Sequence, residues 1–171
     1  MCNRNIFYLA FFFLIGILTS CEKPPKYPDT PQIEFKKIEK MTYFSDIYQS
    51  NIDSLIISIT FKDGDGDLGL EPPYSTSYNF KAEALMKGID GNFYTIFDAD
   101  NSFASGYFPP LRPSGKKGPI EGTLSKGTVI TPSDYQIYNI PPKSKLKFKI
   151  TIKDKAERYS NTVETDEIEL N

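Results

Sequence analysis

The residues best placed to do chemistry are Asp63, Asp65 and Asp67, which alternate with Gly64 and Gly66. Glycine lets the chain turn tightly, so the three carboxylates can converge and backbone carbonyls can join them. Hard oxygen ligands in that number suit Ca²⁺, which takes 6–8 oxygens, better than Mg²⁺, which keeps its waters. The start matches an EF-hand loop, but Leu68 stands where that motif needs Gly and Tyr74 where it needs Glu. The expectation is therefore a structural Ca²⁺ site of another kind. The competing reading is a tight, wet turn in which the Asp side chains cap backbone donors.

Other chemistry is excluded by residue type. The chain has no histidine and two cysteines, Cys2 and Cys21. A Ser-His-Asp triad, a Cys-His pair and a histidine or multi-cysteine zinc site are all impossible. Acid–base work would fall to carboxylates, lysine or tyrosine. A carboxylate-based hydrolase such as a glycosidase is thus the only enzyme class considered, and it needs a cleft with two opposed carboxylates. The formal net charge is −2. Nucleic acid is not an expected partner, since that role needs a strongly basic domain or patch.

The elements that must position the acidic loop read as strands. Leu55, Ile57, Ile59 and Phe61 alternate with Ile56, Ser58, Thr60 and Lys62. Leu146, Phe148, Ile150 and Ile152 alternate with lysines and Thr151. Period two with one apolar face marks antiparallel strands buried on one side. Segments 78–87 and 93–97 flank a link containing Asp90-Gly91, a strong hairpin signal. Segments 33–38, 120–124, 135–140 and 162–170 are further strand candidates, and no amphipathic helix is expected. About seven short strands predict an all-β, antiparallel β-sandwich. In an immunoglobulin-like sandwich the loops after the second and sixth strands share one end. Asp154, and the Asp98/Asp100 pair, are then the candidates to complete the metal site. Glu164, Asp166, Glu167 and Glu169 are expected to neutralise the lysine face of 143–153 by cross-strand pairing.

The N-terminus carries an address. Arg4 precedes a 13-residue apolar run, Ile6 to Leu18, too short to span a membrane comfortably. The run ends in Leu18-Thr19-Ser20-Cys21, which resembles the lipobox of bacterial lipoproteins. That resemblance implies cleavage before Cys21 and acylation of Cys21, palmitate included. The expected organisation is a signal peptide over 1–20, a lipidated cysteine with a Pro-rich tether over 21–31, and one domain over 32–171. Four prolines in residues 22–31 favour an extended segment, reaching about 30 Å at ~3.1 Å per residue, with a partly ordered arm lying on the domain as the alternative.

Taken together, the lipobox, the tether, the run Phe61-Lys62-Asp63-Gly64-Asp65-Gly66-Asp67-Leu68-Gly69 and the segment Asp154 to Asn161 resemble small Bacteroidetes-type outer-membrane lipoproteins with one immunoglobulin-like domain. The resemblance implies that fold and an outer-membrane, lipid-anchored location, on either face of the membrane. The antibody Cys…Trp…Cys hallmark is absent, since there is no Trp and no mature cysteine pair. The expected function is a non-catalytic binding or accessory module with an envelope protein or glycan as partner. A purely structural spacer is the third reading. Within the long connection 101–119, Tyr107, Phe108 and Arg112 are the candidate contact surface, because Tyr and Arg are favoured at binding hot spots. A loop pinned to the sandwich by the same residues is the alternative.

Overall fold

The computed structural model describes residues 25–74, 77–112 and 116–171. The expected signal peptide and Cys21 lie outside them. Eight strands form: β1 (Gln32–Ser45), β2 (Ser50–Asp63), β3 (Phe80–Lys87), β4 (Phe93–Phe97), β5 (Ile120–Ile130), β6 (Lys145–Ile152), β7 (Val163–Glu164) and β8 (Ile168–Glu169). One sheet has the order β1-β2-β5. The other runs β4-β3-β6-β7, with β8 also on β6. All pairs are antiparallel. The first, second and fifth strands facing the third, fourth, sixth and last is an immunoglobulin-like sandwich arrangement.

The alternation of β2 and β6 decides the packing. Leu55, Ile57, Ile59 and Phe61 from β2 face Leu146, Phe148, Ile150 and Ile152 from β6, and all are buried. Ile56, on the opposite face of β2, is exposed. The Asp90-Gly91 link closes the β3–β4 hairpin as expected. Gly91 adopts φ +83° and its N–H donates to Gly88 O at 3.0 Å. The lysine face is neutralised as well: Lys147 pairs with Glu164 at 2.5 Å, and Lys145 and Lys87 both reach Glu167 at 2.9 Å. Those pairs hold the Glu167 carboxyl at about 2.

Two expected strands form differently. Segment 135–140 is not a strand. A short helix, α1 (Pro132–Ile137), covers its start. Thr131 caps it: the Thr131 hydroxyl accepts from Asp134 N, and the Asp134 carboxylate accepts from Thr131 N at 2.7 Å. Pro132 at the first position completes a helix-start signal that outweighs the period-two pattern. Thr131→Ala should therefore lower stability by ~1 kcal/mol, read as a shift in denaturant midpoint at constant slope. The closing strand is broken into β7 and β8 because Thr165 interrupts the ladder. Its hydroxyl accepts from Phe148 N at 3.0 Å, while its own N–H donates to Phe148 O at 2.9 Å.

The two ends of the sandwich differ. The first carries the β2–β3 loop and the segment after β6. The second carries the β1–β2 turn, the β3–β4 turn, α1 and the C-terminus. At the second end Asp53 is fully buried. It accepts from Thr42 Oγ1, from Tyr135 Oη at 2.7 Å and from Asn171 N at 2.8 Å, with Lys40 Nζ 3.4 Å away. One carboxylate thus ties the first hairpin, the helix and the chain end together.

Candidate metal centre

The acidic loop is built by contacts on every side. Gly64 N donates to Pro28 O at 2.8 Å, and Gly118 N to Asp65 O at 3.1 Å. Leu68 bridges to Asp154, its carbonyl accepts from Leu111 N at 3.1 Å, and Leu70 N donates to Phe108 O at 3.0 Å. Gly64 is required here because a Cβ would collide with the backbone of Tyr27 and Pro28. Gly69 is required twice over, by φ +98° and by the backbone of Pro109 and Pro110 against its Cα. Tyr27 and Pro28, within the Pro-rich segment, also touch the domain. Tyr27 Oη donates to Glu121 at 2.8 Å. Residues 27–28 therefore rest on the domain rather than extending the tether.

Within this frame the loop brings Asp63, Asp65 and Asp67 together, with one carboxylate oxygen of each within 4.8 Å of the others. Asp63 is fully buried. Its Oδ2 accepts from Gly66 N at 2.8 Å and Asp67 N at 3.2 Å. The turn-capping role is thus real, but it occupies only one oxygen. Oδ1 of Asp63, Asp65 and Asp67 are all buried and accept no hydrogen bond. Burial, with the charges of Asp65 and Asp67, pushes the Asp63 carboxyl up to about 6. Burial and the charges of Asp154 and Asp65 do the same to Asp67, also to about 6. Charge without sufficient counter-charge is what those shifts express.

The remaining candidates divide. Asp154 lies beside the cluster, close enough for its charge to act on Asp67. It is itself taken by Arg158, through Nε to Oδ2 at 2.5 Å and N to Oδ1 at 2.8 Å. Asp98 and Asp100 do not join. Asp98 caps its own turn by accepting from Asp100 N and Asn101 N, and Asp100 pairs with Lys81 at 2.8 Å.

Sequence reasoning missed Arg158. Its guanidinium also reaches Asp65 Oδ2 at 2.5 Å and Asp67 Oδ2 at 3.4 Å. Against the opposing cost of burial, it holds the Asp65 carboxyl below the ordinary range. The signal available was the Asp154/Arg158 spacing of four, which in a tight loop lets the two side chains meet. Arg158 takes Oδ2 of Asp65 and Asp67, backbone N–H groups take Oδ2 of Asp63, and the three Oδ1 atoms are left without a hydrogen bond.

The second candidate surface resolves into a pinned loop. Phe108 is buried in the core and cannot be a contact residue. Asn79, also buried, grips it through Phe108 N to Oδ1 at 2.9 Å and Nδ2 to Phe108 O at 3.1 Å. Arg112 is turned inward to the carbonyls of Lys116, Gly118 and Pro119, at 3.2, 2.9 and 3.0 Å. Tyr107 stacks on Tyr74, with ring centroids 3.9 Å apart, and meets Tyr78 edge-on.

No family model matches the chain, and no curated protein matches it.

Proposed function

We propose that this protein is a lipid-anchored accessory or binding module of the bacterial cell envelope, non-catalytic, with one structural Ca²⁺ between Asp63, Asp65 and Asp67. The observation that carries the metal is the trio of buried, unpartnered Oδ1 atoms. Three carboxylates facing the single guanidinium of Arg158 are under-compensated, and a bound cation would turn their repulsion into a staple. Ca²⁺ fits hard oxygen donors on a loop able to lend carbonyls. Asp65 O is already used by Gly118 N, so the remaining ligands would be other carbonyls and water. A metal here would draw the β2–β3 loop in on itself, and that loop in turn carries Pro28 through Gly64 N. Such a site stabilises a fold and leaves recognition to other surfaces.

The anchor rests on the lipobox and on the resemblance to Bacteroidetes-type outer-membrane lipoproteins. Residue 25 emerges beside the acidic end, so that end would face the membrane. Cys21→Ser should abolish incorporation of a clickable fatty acid and leave the precursor uncleaved. Equal label on the wild type and the variant would overturn the anchor. A carboxylate hydrolase finds no support in the cluster, whose carboxylate oxygens lie within 4.8 Å of one another, with no room for a sugar between them.

A further inference from the structure

The edges of the two sheets are not equally protected. An edge strand presents unpaired N–H and C=O groups, and proteins blunt it with charge, bulges, short length or cover. β4 is only five residues long. β5 is held near its end by Thr128 Oγ1, which donates to Phe103 O at 2.7 Å. The start of β1 is capped by one side chain: Asn161 Oδ1 accepts from Ile33 N at 2.9 Å, and Nδ2 donates to Ile33 O at 2.8 Å. Its middle has a bulge between Phe35 and Lys37 and the charges of Lys36, Lys37, Glu39 and Lys40.

None of these devices protects Met41–Ser45. The five residues carry no charge, no proline and no bulge, and among the described residues their only strand partner is β2. Met41 and Phe44 are 65% and 58% exposed. Tyr43 is exposed as well, and the row across the sheet from Met41 runs through Ser54 to the exposed Val129. Open backbone groups beside apolar side chains of both faces are what an added strand reads, through main-chain hydrogen bonds and alternate side-chain pockets.

We propose that Met41–Ser45 is a docking edge, to which another protein adds an extended, apolar segment as a fourth strand beside β1. Where the chain leaves the domain selects this occupant, a point that rests on the lipid anchor at Cys21. Five residues separate Cys21 from Tyr27, and the six Cα steps reach at most about 20 Å. They join at the acidic end, whereas Met41–Ser45 lies at the far end of β1, about 43 Å along a 14-residue strand. Antiparallel self-pairing centred on Tyr43 would point the two anchors in opposite directions, so two copies standing upright in one membrane cannot form it. An upright domain likewise holds this edge away from its own bilayer. A separate protein remains.

The test uses the full lipidated chain in nanodiscs. The probe is a ten-residue peptide of alternating valine and threonine with a lysine at each end. Hydrogen exchange of Met41–Ser45 should slow about tenfold at saturation. Methylating alternate backbone nitrogens of the peptide should weaken binding about tenfold, by deleting its ladder bonds. Tyr43→Lys, with an unchanged melt, should weaken it comparably by placing a charge on the edge. No slowing in β1, or equal binding of the methylated peptide, overturns the proposal. Slowing without peptide, with a dimer's mass, would assign the edge to a second copy and overturn it too. Slowing in nanodiscs relative to detergent, without peptide, would assign it to lipid with the same consequence. Failure of the anchor is read separately, by fatty-acid labelling.

Discussion

In Ca²⁺ the soluble chain from Pro25 onward should melt about 5–10 °C higher than in EDTA. A ligand that binds only the native state adds RT ln(1 + [L]/Kd), about 2.7 kcal/mol at 100-fold excess. With a Kd of ~10⁻⁴ M, as in extracellular modules, about 10 mM Ca²⁺ supplies that excess. Asp63→Asn is the sharpest variant. The amide oxygen can still accept from Gly66 N and Asp67 N, so the turn survives, but the fully buried ligand charge is gone. The Ca²⁺ shift should then vanish while the melt in EDTA does not fall. Asp98→Asn should leave the shift intact, since Asp98 only caps its own turn. Arg158→Ala should cost ~2 kcal/mol in EDTA and less in Ca²⁺. It removes the counter-charge from Asp65, Asp67 and buried Asp154, and partial exposure of the guanidinium keeps the loss below that of a fully buried pair. Identical wild-type melts in both buffers would rule the metal out.

Asp53→Ala should destabilise the domain by ~3 kcal/mol, about 10 °C in melting temperature. The lost carboxylate leaves Tyr135 Oη, Thr42 Oγ1 and Asn171 N without their acceptor at a buried site. The acid limb of the stability curve tests the same network. Burial pushes the Asp53 carboxyl up, but Thr42, Asn171, Tyr135 and Lys40 outweigh it and hold it below its ordinary 3.8. A depressed folded value means stability that is present above the unfolded value and lost as pH falls through the folded one. The wild type should therefore lose this contribution below about pH 3.8, and Asp53→Ala should show a flatter limb there. Parallel limbs in urea titrations at pH 2 to 6 would show that Asp53 contributes nothing through its charge.

Much of the fold was legible because strand period and burial are the same fact seen twice. Every second residue of β2 and β6 faces the core, and nothing in the chain competes with that pattern. The errors came where a side chain competes with the ladder. Thr131 and Asp134 satisfy each other's backbone and start a helix, and Thr165 substitutes for a strand partner. Both are local hydrogen bonds by short polar residues, which a count of apolar alternation ignores.

By itself the sequence determined the two-sheet sandwich, the hairpin at Gly91, the convergence of Asp63, Asp65 and Asp67 on one loop, and the exclusion of histidine chemistry. These depend on residue type and near spacing, which chain geometry converts directly into shape. Only the tertiary structure decided which distant groups meet. It put Arg158 rather than Asp98 and Asp100 against the acidic loop, laid Tyr27 against Glu121, and gathered Tyr135 and Asn171 onto Asp53. A partner 80 or more positions away is chosen by how the sheets stack and by which buried charge must be compensated. That choice is made by the whole core at once and is written in no local stretch of chain.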